Sequence, residues 1–241
     1  MKKSCDCSPS ADTLPDDGRI CLLCAEQNMT CCRTEPYLAP LCFPLSVLEW
    51  RRLLPYRNLG VLSVPTDGVR YQEEEATADA SADALLASFP GAWELDAMPE
   101  EDESSSSLVP PNEGDDLCAS ELNVPEFIAS MHEMFPGLKK KINELFPAKG
   151  KHFTLRIRSD GSCIFLGKKG CRLPRAVRPW YCRIFPAWIA GESLTLFLLQ
   201  DCLIAHRAKD PADGVRMLGA SPAHIRKLHA RLSKDWSLTI E

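Results

Sequence analysis

Eight cysteines arranged as two quartets constrain this chain of 241 residues more than any other feature of it. The first quartet is Cys21-x2-Cys24-x6-Cys31-Cys32, and the second is Cys163-x7-Cys171-x10-Cys182-x19-Cys202. A Cys-x2-Cys pair lets two thiolates from one tight turn reach one ion. The adjacent pair Cys31-Cys32 restricts the geometry further. Successive side chains of an extended backbone point to opposite faces, so two such sulfurs are more easily satisfied by different metal atoms, in two sites or in one polynuclear cluster. Eight thiolates suit either two four-sulfur zinc sites or iron–sulfur clusters, because both want sulfur and both can be tetrahedral at each metal.

Thiols act as ligands only where they stay reduced. Met1-Lys2-Lys3 is followed by Ser4-Cys5-Asp6-Cys7, which supplies no apolar core of a secretory signal. The most apolar stretch, residues 184–199, is broken by Pro186, Gly191 and Glu192 and is too short to span a bilayer. A cytoplasmic protein with no membrane partner is expected. In that compartment clustered cysteines read as metal ligands or redox groups rather than disulfides.

The formal net charge of −5 conceals two opposite regions. Residues 72–116 hold 14 Asp and Glu with no Lys or Arg, and they include the run of four serines at 104–107 and Pro110-Pro111. High charge with little apolar content reads as a disordered acidic insertion, with one brief helix expected over residues 82–89. Residues 136–183 carry 13 Lys and Arg against Glu144 and Asp160. These cations either meet an anionic partner, face water, or offset thiolate charge. The organisation that follows is a mobile tail over 1–19, a metal-binding domain split into 20–71 and 117–208, the insertion 72–116, and a C-terminal helical extension 209–241.

Local signals place the cysteines on short elements. Ser46-Val-Leu-Glu49 fits a capping box opening a helix that stops before Pro55. Pro125 suits the first position of a helix ending at Phe135, and a second helix fits residues 138–146. Phe153, Leu155 and Ile157 alternate with Thr154, Arg156 and Arg158, which predicts a half-buried strand with the apolar residues inward. Ser159-Asp-Gly-Ser162 is a turn, and residues 163–166 are the expected return strand. A second hairpin is expected from residues 184–189 and 194–199. Asp210-Pro211 and Ser221-Pro222 open two helices, the second carrying Ile225, Leu228 and Leu232 at helical spacing. The fold class is therefore α+β: small antiparallel β-hairpins and short helices around a multi-cysteine metal centre, with a C-terminal helical segment.

Charge and energy bear on the centre too. Four thiolates around Zn²⁺, or around a [4Fe–4S]²⁺ core, leave a net −2. Arg33, Arg172 and Arg183 each follow a cysteine and Arg178 lies between two, so some of them, Arg178 and Arg183 first, are expected to hydrogen-bond to sulfur; the alternative is that they face water. A structural zinc contributes on the order of 10–16 kcal/mol in zinc-finger peptides, comparable with the whole stability of a domain, about 5–15 kcal/mol. Such a centre would tie the two halves together across the insertion. His206 follows Cys202 by four residues and would share a helical face with it; it either assists the cysteines or packs. Trp180, Tyr181, Phe185 and Trp188 are core aromatics or an apolar wall that limits water at the centre. Cys42 is expected to pack, Cys118 to be incidental, and Cys5 and Cys7 to be free.

The combination of Cys-x2-Cys, Cys-Cys, Cys163-Ile-Phe-Leu-Gly, Gly170-Cys171, Arg178-Pro179, Cys182-Arg-Ile-Phe-Pro186 and Asp201-Cys202 resembles the YkgJ-type cysteine-cluster proteins over roughly residues 18–60 and 150–210. That family is described as zinc- or iron-chelating. The resemblance implies that Cys21, Cys24, Cys31, Cys32, Cys163, Cys171, Cys182 and Cys202 are the ligand set. The chain departs from the family in its long Cys24–Cys31 gap, in Leu173-Pro174, and in the acidic insertion. A related cysteine cluster in proteins similar to flagellin lysine methylases implies an alternative, an iron–sulfur-dependent methylase or oxidoreductase.

The leading expectation is a protein that binds zinc or an iron–sulfur cluster in a structural or electron-transfer role, with a protein redox partner in the second case. An enzyme is disfavoured by the lack of a dinucleotide fingerprint, a phosphate loop, His-Glu-x-x-His or Gly-x-Ser-x-Gly. A thiol–disulfide role for Cys21 and Cys24 is disfavoured by six further cysteines at ligand-like spacing. Nucleic-acid binding through the basic region ranks last.

Overall fold

A computed structural model of the chain describes residues 20–27, 31–61, 111, 115–197 and 202–238. The expected tail, Cys5 and Cys7, and the helix at 82–89 lie outside them.

The described helices are short, and most open on a local signal. Helix α1 spans Ile20–Glu26 and a 3-10 turn spans Pro36–Leu41. Helix α2, Val47–Leu53, opens on the complete capping box: the Ser46 hydroxyl accepts from Glu49 N at 3.1 Å, and the Glu49 carboxylate accepts from Ser46 N at 3.0 Å. The chain passes Pro55 in a 3-10 turn and resumes as α3, Arg57–Val61. Pro125 sits at the start of α4, Pro125–Met134, and α5 spans Lys139–Leu145. Helix α6 spans Trp180–Ile184 and α7 spans Leu203–Arg207. Asp210 caps α8, Pro211–Met217, and Ser221 caps α9, Pro222–Asp235, by accepting from the backbone N–H three residues on.

The strands form three antiparallel pairs. Strand β1, Cys118–Leu122, pairs along its length with β2, Lys151–Leu155. Strand β3, Leu166–Gly167, pairs with β4, Gly170–Cys171, and β5, Ala187–Ala190, pairs with β6, Ser193–Leu196. The α+β class stands. Two details differ from the sequence reading. The ladder of β2 is made with β1, and the expected hairpin through residues 159–162 shrinks to a single bridge, Ile157 to Cys163. Within β2, His152 and Thr154 are the buried positions, while Phe153 and Leu155 are only half-buried. The strand lies between two apolar clusters, so alternation does not separate inside from outside.

The first cluster joins α4, α5, α6, the β5–β6 hairpin and α9 around Phe127, Met131, Ile142, Phe146, Ile184 and Trp188. The second gathers Leu45, Leu53, Leu117, Ile164, Phe165 and Leu173, with Phe153, Cys163 and Cys171 at its margin. The third joins Ile20 to Leu203, Ile204 and Leu218, with Cys24 and Cys202 at its margin. The second hairpin begins later than expected because residues 180–184 are helical. Among the described residues no helix is long and apolar enough to cross a membrane.

Candidate metal centre

A backbone bond joins one cysteine of the first quartet to one of the second. Cys163 N donates to Cys32 O at 2.7 Å, Arg33 and Ser162 form an antiparallel bridge, and Thr34 N donates to Gly161 O at 2.9 Å. The turn that makes this possible is held by Asp160, whose Oδ1 accepts from Ser162 N at 2.9 Å and Ser162 Oγ at 2.6 Å. Those bonds hold the Asp160 carboxyl below its ordinary range.

Arginines then secure the loop that carries the second quartet. Arg158 donates to Ser162 Oγ at 3.0 Å, to Leu166 O at 3.2 Å, and to Ile164 O. Arg172 donates to Ile164 O at 2.9 Å. Arg178 donates from Nε to Leu173 O at 3.0 Å and from Nη2 to Cys171 O at 3.3 Å. Arg178 thus holds the backbone of a cysteine. Arg183 is buried, donates to Ala176 O at 3.0 Å, and has its guanidinium 5.0 Å from the centre of the Trp180 ring. Arg178 and Arg183, the two arginines expected at sulfur, thus have backbone acceptors, and Arg183 has an aromatic neighbour as well.

Electrostatics relate the thiols to one another. Burial pushes the Cys163 thiol well up, and charge at Cys32 and Cys171 pushes it further. Cys182, inside α6, is raised by loss of hydration first, then by Cys32, Cys163 and Cys171, and by the Glu49 carboxylate. As a residue, Cys182 keeps accessible surface. Cys32 and Cys171 thus weigh on both Cys163 and Cys182, and Cys163 weighs on Cys182. Cys31 and Cys182 both raise the Tyr181 hydroxyl, after burial. Tyr181 in turn stacks on Phe43, with ring centres 4.5 Å apart and planes 1° from parallel.

The remaining cysteines lie on neighbouring elements. Cys21 and Cys24 fall three residues apart on α1, which packs against β4 and α7. Cys202 sits at the start of α7, and it shares the third apolar cluster with Cys24. His206 is exposed on α7. Cys42 and Cys118 stand outside the set: burial lifts Cys42 to about 11 and Cys118 to about 12, aided by Glu121 and Asp115 respectively. Among the described residues no disulfide joins the cysteines. Among those residues, too, no three His, Cys, Asp or Glu side chains are disposed as a closed metal-holding group.

Two contributors escape a sequence reading. Glu49 reaches the Cys182 helix from 131 residues away, accepting from Trp180 N at 2.7 Å. Arg158 stands outside the cysteine motif altogether, yet clamps the turn that delivers Cys163. Only the Ser46-x-x-Glu49 spacing hinted at either. No family model matches the chain, and neither a curated protein nor a solved structure matches it.

Proposed function

We propose that the chain is a metal-binding protein that holds zinc or an iron–sulfur cluster through cysteine thiolates, in a structural or electron-transfer role. The observation that carries this reading is the Cys163 N–H to Cys32 O bond at 2.7 Å, which joins the two quartets across the acidic segment. The donor set fits a cation. Thiols that raise one another's pKa are reluctant to ionise together, and a bound metal relieves that repulsion while displacing their protons. Tyr181, next to Cys182 in the chain, packs with Phe43 and Trp188 as one aromatic group. The YkgJ-type resemblance of the same cysteines supports the same chemistry. When bound, zinc would supply a structural cross-link, and an iron–sulfur cluster would supply one-electron transfer to a protein partner.

The test is elemental analysis with optical spectra on protein isolated without oxygen. A colourless sample with stoichiometric zinc identifies a zinc protein. A brown sample whose charge-transfer absorption fades in air identifies iron–sulfur. Cys163→Ser and Cys182→Ser should each lower metal content at least tenfold, whereas Cys118→Ser, outside the set, should leave it unchanged. Stoichiometric absence of both metals from anaerobic wild-type protein would refute the proposal.

A further inference from the structure

A cavity of about 200 Å³ opens between the 3-10 turn at Pro36–Leu41, strand β1 and the loop that follows β2. Ala39, Ala119 and Ile157 give it apolar walls, and Glu121, Arg158 and Ser159 complete the lining. Two alanines, one on the turn and one on the strand, leave space that larger side chains would fill. The two charges in the lining differ in what answers them. The Arg158 guanidinium is taken up by Ser162 Oγ, Leu166 O and Ile164 O, and Asp160 is close enough to feel its charge. The Glu121 carboxylate has no hydrogen-bond or ion-pair partner among the described residues, and partial loss of water raises it above its ordinary range. The neighbouring Cys42 thiol donates to Leu38 O at 4.0 Å and is pushed up to about 11 by burial and then by Glu121, so it is neutral and supplies no counter-charge.

What fits such a space is a cation on an apolar stem. A drug-sized ligand fills about 300–1,000 Å³, so this cavity takes a single long side chain. Lysine lays its methylenes along apolar walls and carries a compact ammonium at the tip. The guanidinium of arginine brings five donors, more than one carboxylate among apolar walls can accept. The surroundings separate a free amine from a peptide. Ala39 stands between Tyr37 and Leu41, which are 76% and 40% exposed. A free amine would leave that apolar rim in water, whereas a peptide that carries the lysine covers it, and tyrosine is enriched at such interfaces.

We propose that the cavity at Glu121 is a docking site for a partner protein, taking one lysine side chain from a segment whose adjoining apolar residues lie on Tyr37 and Leu41. The site does not depend on what the cysteines hold. Its test uses the full chain as isolated, at pH 8, in calorimetric titrations with the peptide Ac-Ser-Leu-Lys-Leu-Ser-NH2, with its analogue carrying norleucine for lysine, and with n-butylammonium chloride. The lysine peptide is expected to saturate at millimolar concentration or below, and the other two probes to bind at least tenfold more weakly. Glu121→Gln should weaken the lysine peptide at least tenfold. Tyr37→Ser, on a side chain that is mostly in water, should weaken it at least threefold, and both variants should keep their metal per chain. Failure of the lysine peptide to bind overturns the proposal, as does unchanged affinity in Glu121→Gln. Butylammonium that matched the peptide would assign a small-amine site and overturn the docking surface. Tighter peptide binding after Lys2→Gln with Lys3→Gln would put the chain's own first residues in the cavity, and a dimer in sedimentation that Glu121→Gln dissociates would put a second copy there; either result overturns the choice of a partner protein.

Discussion

Glu49 shows how one side chain serves two levels of structure. It closes the capping box of α2, and it also binds Trp180 N at the head of the helix that carries Cys182. The first role is readable from four consecutive residues. The second is not, because its partner lies 131 residues away and backbone donors carry no sequence signature. His152 and His229 are similar. Neither has a local partner that sequence reveals, yet His152 stacks on Phe127 at 3.9 Å and His229 lies edge-on to Trp188 at 4.6 Å. Burial lowers both from 6.5 to about 4. Between those values the unfolded chain binds more protons than the folded one. The stability contributed by the neutral rings is thus complete above pH 6.5 and is lost as pH falls towards 4. Each ring accounts for at most about 1.4 kcal/mol per pH unit, with His229 at the lower end because it is partly exposed. His229→Phe keeps the edge-on packing and removes one titration. Urea midpoints at pH 7.5 and pH 5 should show a smaller drop for this variant than for wild type at equal metal content. An equal drop would assign the acid loss to other groups.

At the level of elements, the capped helices were legible and the strand pairing was not. Ser46, Pro125, Asp210 and Ser221 sit at helix starts because their chemistry is local. Cys118-Ala-Ser-Glu-Leu122 has no β-branched residue, and its strand state comes from pairing with β2 and from contacts distant in sequence. The burial of β2 also defeated alternation: Thr154 and His152 are buried, His152 against Phe127 and Phe146, while Phe153 and Leu155 border the second cluster. The ribbon begins at a crowded point. Gly150 O accepts from Asn123 N at 2.9 Å, and Asn123 Nδ2 donates to Pro147 O at 2.9 Å while its Oδ1 meets His152 Nδ1 at 2.8 Å. A Cβ on Gly150 would come within 2.9 Å of Pro147 O and 3.0 Å of Asn123 Nδ2. The first is backbone and cannot step aside. Gly150→Ala should therefore destabilise the fold by about 1–3 kcal/mol, read as a shift of the urea midpoint at unchanged slope. A neutral or stabilising result would mean that the ribbon tolerates a wider entry.

At the scale of the molecule, described residues on either side of the acidic segment bond to one another, and the segment's role can be tested by deletion. The motif spacing predicts that the quartets meet, and one backbone bond, Cys163 N to Cys32 O, joins a residue of each; the composition of residues 72–116 marks the acidic segment between them. What composition could not reveal is where the fold resumes. Asp115 lies within the acidic stretch, yet its carboxylate accepts from Leu117 N at 2.8 Å and Cys118 N at 3.3 Å, and pairs with Arg57 Nη2 at 3.3 Å. That pair ties the first residue of α3 to the residues just before β1. A loop closed at both ends contributes mainly its closure entropy, and shortening it by most of its length should add about 1 kcal/mol of stability. Replacing residues 72–110 with a short Gly-Ser linker should accordingly leave metal per chain unchanged and the melting temperature equal or slightly higher. Extending the cut through residue 116 removes Asp115, orphans two backbone donors, and should lower the melting temperature by several degrees. Should the shorter deletion abolish metal binding, the acidic segment would itself be part of the centre, and the cysteines alone would not suffice to hold it.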